Sequence, residues 1–186
     1  MPRESGPVMP RESGPVIQRL ARVRVPLGFA FGAIVWWLAA PTPTSLFVGA
    51  AIAAVGEVIR IWAAGHLNKS REITTSGPYR WFAHPLYVGS SVMGAGLAIA
   101  CASAAAFVLI AIYLGVTIMA AVKNEEAFLR RTFGDRYDRY RQGSTASRPY
   151  SLAQAMRNRE YRAVVGLAVA VGLLMLKMYL GSFAVR

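Results

Sequence analysis

Cysteine is nearly absent. Cys101 is the only one in 186 residues, so no disulfide can close within the chain and a disulfide scaffold is excluded. It lies inside an apolar run, where a lone cysteine behaves as a small buried hydrophobe. Histidine is almost as scarce. His66 and His84 are the only two, too few to build a zinc site, and no metal is expected. Charge is sparse and one-sided. Charged residues are 16% of the chain, with 9 acidic against 21 lysines and arginines, a formal net charge of +12. What fills the chain instead is apolar: 55% of residues are hydrophobic, and mean hydropathy is +0.38. A basic chain can bind nucleic acid or sit in a membrane. Here the basic residues cluster between long apolar runs, as the positive-inside rule predicts for membrane proteins. A nucleic-acid module has no use for such runs. The partner implied is the lipid bilayer, with no nucleic acid.

Residues 1–16 are a perfect tandem repeat, Met-Pro-Arg-Glu-Ser-Gly-Pro-Val twice. So short and polar a repeat buries nothing, and disorder is expected there. Residues 17–186 read as one transmembrane domain with spans near 27–40, 45–65, 86–101, 105–122 and 163–180. The first, between Pro26 and Pro41, falls short of the roughly 20 residues a straight span needs. Its helix therefore either starts earlier, near Ile17, with Pro26 as a kink, or meets a locally thinned membrane. Pro41 to Thr44 reads as a turn, with Ser45 as the cap of the next helix. That helix carries Glu57 and Arg60 on one face, either a structural ion pair or a polar wall of a site. Leu86 to Val122 is unbroken apolar sequence, too long for one span and right for two. A break at Ala102-Ser103-Ala104 makes 86–122 a tight helical hairpin. Lys123 to Gln142 is charged and amphipathic, anchored by Phe128, Leu129 and Phe133, and suits the membrane surface or a fold-back over the polar loop. The fold class is all-α integral membrane, about five transmembrane helices with a cytoplasmic amphipathic segment. The arginine-rich N-terminus, the 66–85 loop and the 123–162 region fall on the cytoplasmic side, in the inner membrane if the source is bacterial.

One polar stretch stands between the apolar walls: Thr75-Ser76-Gly77-Pro78-Tyr79-Arg80-Trp81-Phe82-Ala83-His84-Pro85-Leu86-Tyr87-Val88-Gly89. Prolines bracket its Tyr-Arg-Trp core, so it continues neither flanking helix. It delivers His84 and Tyr87 to the cytoplasmic end of the third helix. Gly94-Ala95-Gly96 lies one to three turns deeper, and the fourth helix returns to end at Glu125-Glu126. An imidazole, phenols, glycines and two carboxylates can hold a polar cofactor with a cationic centre. Carboxylates suit an ammonium group and ribose hydroxyls, and glycines let a flat ring approach backbone. Each element also has a plainer reading. Gly-Ala-Gly in a membrane helix is commonly packing, paired glutamates a solvated helix end, a lone histidine a satisfied structural residue, and Tyr79, Trp81 and Tyr87 interfacial aromatics.

Taken together, these residues resemble the isoprenylcysteine carboxyl methyltransferase superfamily, which includes the phospholipid N-methyltransferases. The resemblance runs from about Gly56 to Tyr140. It begins at Gly56, Arg60, Trp62 and Ala63 and peaks at Gly77-Pro78-Tyr79-Arg80 and His84-Pro85-Leu86-Tyr87-Val88-Gly89. It closes with Glu125-Glu126, Leu129, Phe133-Gly134, Tyr137 and Tyr140. It implies a multi-span methyltransferase that uses S-adenosylmethionine and takes a lipophilic methyl acceptor. The implied cofactor-binding set is Tyr79, Arg80, His84, Pro85, Leu86, Tyr87, Gly94, Gly96, Glu125 and Glu126. In one departure, Ala83 stands where the family carries arginine, which bears on the acceptor more than on the cofactor.

Methyl transfer from a sulfonium is an in-line displacement that needs no metal. An anionic acceptor such as an isoprenylcysteine-type carboxylate needs no base. An amine acceptor, as in a phospholipid N-methyltransferase, must lose a proton, and Glu126 and His84 are the candidate catalytic groups, with Glu125 a further possible base. Two other classes compete: a sterol-reductase-like enzyme using NADPH, and a non-catalytic membrane protein.

Overall fold

The computed structural model describes residues 15–67, 74, 76–133 and 149–184, with side chains described within 27–127 and 149–181. Most of the tandem repeat, Lys69, Arg71 and Thr75 of the polar loop, and Gly134, Tyr137 and Tyr140 lie outside the described residues. So do the side chains of Phe128, Leu129 and Phe133. The described elements are α1 (Pro15–Leu38), α2 (Pro43–His66), a 3₁₀ turn (Gly77–Arg80), α3 (Pro85–Cys101), α4 (Ala104–Phe133), α5 (Leu152–Arg157) and α6 (Tyr161–Ala184). No strand occurs among the described residues, and the protein is an all-α membrane protein. Three of its helical stretches are long and apolar enough to cross a membrane: Pro43–His66, Ala104–Ala127 and Tyr161–Gly181. Leu27–Leu38 and Pro85–Cys101 are apolar but shorter.

The chain divides into two compact units, one through Ile34 and one from Val35 onward. The first holds the greater part of α1, in which Pro26 lies within a continuous helix. The second holds the remaining elements and the candidate site.

Local chemistry sets the helix ends. Thr42, not Ser45, is the N-cap of α2. Its Oγ1 accepts from Ser45 N–H at 3.1 Å, and Ser45 Oγ accepts from Thr42 N–H at 2.9 Å, a reciprocal capping box. Pro43 takes the first helical position because it has no N–H to leave unsatisfied there. α3 ends at Ala102, which is left-handed at φ 47° and ψ 37°. The first turn of α4 follows at once, with Phe107 N–H donating to Ser103 O at 2.9 Å. This is the hairpin break expected at 102–104. α4 does not stop at Val122. No glycine or proline interrupts Lys123 to Phe133, and its helix formers carry α4 on to Phe133. The first half of the expected surface segment is therefore an extension of α4.

α2 and α3 form the core of the second unit, antiparallel and very close. Gly49, Ala53, Gly56 and Arg60 repeat at steps of four, three and four along α2. Gly89, Met93, Gly96 and Ala100 do the same along α3. A Cβ on Gly49 would fall 2.4 Å from Ala100 N, one on Gly96 2.4 Å from Ala53 N, and one on Gly56 2.4 Å from Met93 N. Backbone thus meets backbone along the whole seam, as small residues permit in membrane helices. The other two long helices are peripheral. Only 6% of each span window in α4 and α6 is buried, against 33% in α2, so their apolar side chains face outward, as lipid requires.

Each end of α2–α3 is tied off by polar groups. Ala40 N–H donates to Cys101 O at 2.8 Å. Lys177 Nζ on α6 donates to Trp36 O and Trp37 O, each at 2.6 Å, and lies 5.0 Å from the Trp36 ring centroid. At the opposite end the last carbonyls of α2 have no partner within their own helix. Asn158 Nδ2 donates to Ala64 O and Leu67 O, both at 2.8 Å, and Gln154 Nε2 to Leu67 O at 3.0 Å. The α5 segment is therefore the C-terminal cap of α2.

Candidate active site

The polar loop turns twice before it enters α3. Gly77, at φ 59°, lies under the His66 ring, and a Cβ there would meet ring atoms at 2.6 Å. The 3₁₀ turn then runs to Arg80. Tyr79 is half-buried within it and Arg80 is exposed. Pro85, fully buried, takes the first position of α3 and leaves His84 at its N-cap. Leu86 contributes its carbonyl, which accepts from Ser90 Oγ at 2.9 Å.

His84 meets α4. Its Nδ1 lies 3.6 Å from Glu125 Oε2 and its Nε2 3.5 Å from Glu126 Oε1. The Tyr87 ring sits 5.8 Å from the imidazole, centroid to centroid, and its hydroxyl reaches Glu125. The ring is half-buried and the carboxylates are partly exposed. The hydrogen bond to Glu125 raises the His84 pKa above its ordinary value, burial opposes this, and the remaining attraction of both carboxylates adds to the rise. His84 Nε2 is also buried without a hydrogen-bond partner.

The structure thus brings together His84, Tyr87, Glu125 and Glu126, with Tyr79, Arg80, Pro85 and Leu86 in the segment leading in. It gives Gly94 and Gly96 packing neighbours. The Cβ side of Gly94 is filled by Leu114, at 2.1 Å from its Cδ1, and that of Gly96 by the α2 backbone.

A second polar cluster lies behind the first. Arg60 Nη2 pairs with Glu160 Oε1 at 2.7 Å and Nε with Glu57 Oε2 at 3.5 Å, while Nη1 hydrogen-bonds Ser90 Oγ. Glu57 and Glu160 are both buried. Sequence reasoning paired Glu57 with Arg60 but missed Glu160. One signal was available: Glu160 is the only acidic residue after Asp138, set among arginines at the start of a span. The Arg60–Ser90–Leu86 relay joins α2 to the first turns of α3, which carry His84 and Tyr87.

The described body is all-helical and apolar enough to cross a membrane, with a histidine held between paired glutamates at the entrance of α3. The chain belongs to the phospholipid methyltransferase family, which matches residues 44–136. That span includes α2, the polar loop, α3 and both glutamates. The chain is also similar to the nickel-cobalt-cadmium resistance protein NccN of Alcaligenes xylosoxydans xylosoxydans. The two are 31% identical over 115 residues, 61% of this chain and 52% of that protein. It is similar to the cobalt-zinc-cadmium resistance protein CzcN of Cupriavidus metallidurans, 31% identical over 108 residues, 55% and 49% of the two chains. The chain spans about half the length of the curated relatives it matches. No solved structure matches it significantly.

Proposed function

We propose that the protein transfers a methyl group from S-adenosylmethionine to a lipophilic acceptor, with the cofactor held at the His84–Glu125–Glu126 cluster facing the cytoplasm. The observation that carries this reading is the donor set at the entrance of α3. Two carboxylates converge on one imidazole, and that donor set fits a ligand with a cationic end. When bound, S-adenosylmethionine supplies a methyl group activated by its sulfonium. Glu125 and Glu126 would hold its ammonium and ribose hydroxyls, and His84, Tyr87 and the Tyr79–Arg80 turn would line the rest of its site. Positioning and exclusion of water supply most of the acceleration, up to ~7–11 kcal/mol in favourable cases.

An isoprenylcysteine-type carboxylate, already anionic, needs no base. The family match favours a second reading, a phospholipid amine, which must give up a proton. Glu126, whose Oε1 lies 3.5 Å from His84 Nε2, is the group that takes it. The relatives' names speak of resistance to metal ions. Among the described residues no group of three His, Cys, Asp or Glu side chains converges to hold an ion. In such a setting the contribution proposed for this chain is methyl transfer to a membrane component.

Calorimetric titration with S-adenosylhomocysteine in detergent tests the site. A hydrogen bond to a charged group is worth about 1.5–3 kcal/mol, so His84→Ala and Glu126→Gln should each weaken affinity by about tenfold or more with unchanged chromatographic behaviour. Wild-type affinity in both variants removes these residues from the site. Transfer of radiolabel from S-adenosylmethionine into organic-soluble product of a membrane lipid extract tests the reaction.

A further inference from the structure

The capping segment of α2 presents an outer face that neither the fold nor methyl transfer uses. Ala155 is buried against the bundle and Glu160 is consumed by Arg60. Leu152 and Met156, one turn apart on α5, are 61% and 55% exposed, and Tyr161 is 44% exposed. Arg157, Arg159 and Arg162 are exposed among them. No ion pair neutralises any of the three among the described residues. The segment therefore shows three positive charges, without an acidic partner among the described residues, interleaved with apolar side chains. The apolar span Tyr161–Gly181 begins within it. Continuity of the chain places this face where the hydrocarbon ends and the headgroups begin.

We propose that this face is a binding site for anionic phospholipid. Leu152, Met156 and Tyr161 enter the acyl boundary, and the three guanidiniums hold headgroup phosphates. Arginine suits this role because its planar donors match phosphate oxygens in pairs. Lipid rather than a soluble anion is the occupant because the apolar side chains are exposed beside the charges, and a soluble anion would leave them in water. The site rests on the membrane location of α6 and not on the methyltransferase reading, so either can fail alone.

The test is the electron spin resonance of spin-labelled lipids with purified protein in phosphatidylcholine vesicles. The motionally restricted fraction is compared for spin-labelled phosphatidylglycerol and phosphatidylcholine. A basic side chain at the headgroup level attracts anionic lipid by about fivefold, so a preference of about that size or more is expected. It should fall to near equality in the triple variant Arg157→Gln, Arg159→Asn, Arg162→Gln. Asparagine is used at 159 because that residue is left-handed, at φ 62°. A triple lysine variant should keep most of the preference and controls for folding. Equal restriction of the two lipids by the wild type overturns the proposal, as does an undiminished preference in the Gln/Asn variant. Loss of the preference on adding free glycerol phosphate at matched headgroup concentration also overturns it, because the occupant is then a soluble anion.

Discussion

Replacing Gly56 by alanine asks whether α2 and α3 are held by backbone-to-backbone approach. The new methyl would lie 2.4 Å from Met93 N, 2.8 Å from Met93 Cα and 2.7 Å from Gly89 O. All three are backbone atoms, so no rotamer change relieves them. Ordinary contact begins at 3.4 Å, and the helices must part locally by 3.4 − 2.4 = 1.0 Å. Overpacking of this kind costs about 1–3 kcal/mol. Alanine also favours any helix position over glycine by about 1 kcal/mol, and this gain must be subtracted. Gly115→Ala on α4 isolates it, since a Cβ there meets nothing within 4 Å. The difference between the two variants is then the overpacking alone, roughly 2–12 °C in melting midpoint for a chain of this size. Heating in detergent followed by fluorescence-detected size-exclusion chromatography measures it. The seam leads toward the first turns of α3, so Gly56→Ala should also weaken S-adenosylhomocysteine binding by disturbing His84. A midpoint for Gly56→Ala equal to or above that of Gly115→Ala refutes the close-packed seam.

Two further outcomes follow from named contacts. The His84 pKa is raised, chiefly by its hydrogen bond to Glu125. The stabilisation it contributes is therefore complete below the unfolded value of 6.5 and lost as pH rises through the higher folded value. Across that window the melting midpoint of the wild type should fall more steeply than that of His84→Gln; parallel slopes would show that the ring is not tied to the carboxylates. Asn158→Ala removes two hydrogen bonds of 2.8 Å to the end of α2. At about 0.5–1.5 kcal/mol each, the variant should be about 1–3 kcal/mol less stable in denaturant titration, and a wild-type midpoint would mean that water replaces the amide without cost.

The residues that sequence reasoning could place are those with local signals. The hairpin turn at Ala102 is legible because an apolar run longer than one span must reverse. His84 and the Glu125–Glu126 pair are legible because the hairpin returns α4 to the end of the membrane where α3 began. Gly94 and Gly96 were less so. A glycine that admits a ligand and a glycine that admits a helix look alike in sequence, and only the tertiary structure shows that Leu114 and the Ala53 backbone lie on the Cβ side of these two. Even the start of α2 was ambiguous by three residues, because Thr42 and Ser45 both cap well and only the reciprocal bond shows which is outside.

The amino-acid sequence by itself determined the all-helical membrane class, the hairpin and the histidine–carboxylate pairing. Each of these follows from apolar run length, helix period or the order of the spans. Tertiary structure alone decided that the small residues of α2 and α3 form one seam and that Glu160 completes the Arg60 cluster. It also decided that Asn158 caps a helix ending nearly a hundred residues earlier. Such pairings have no local trace, because the groups that satisfy one another's charges and hydrogen bonds are brought together only when the helices pack.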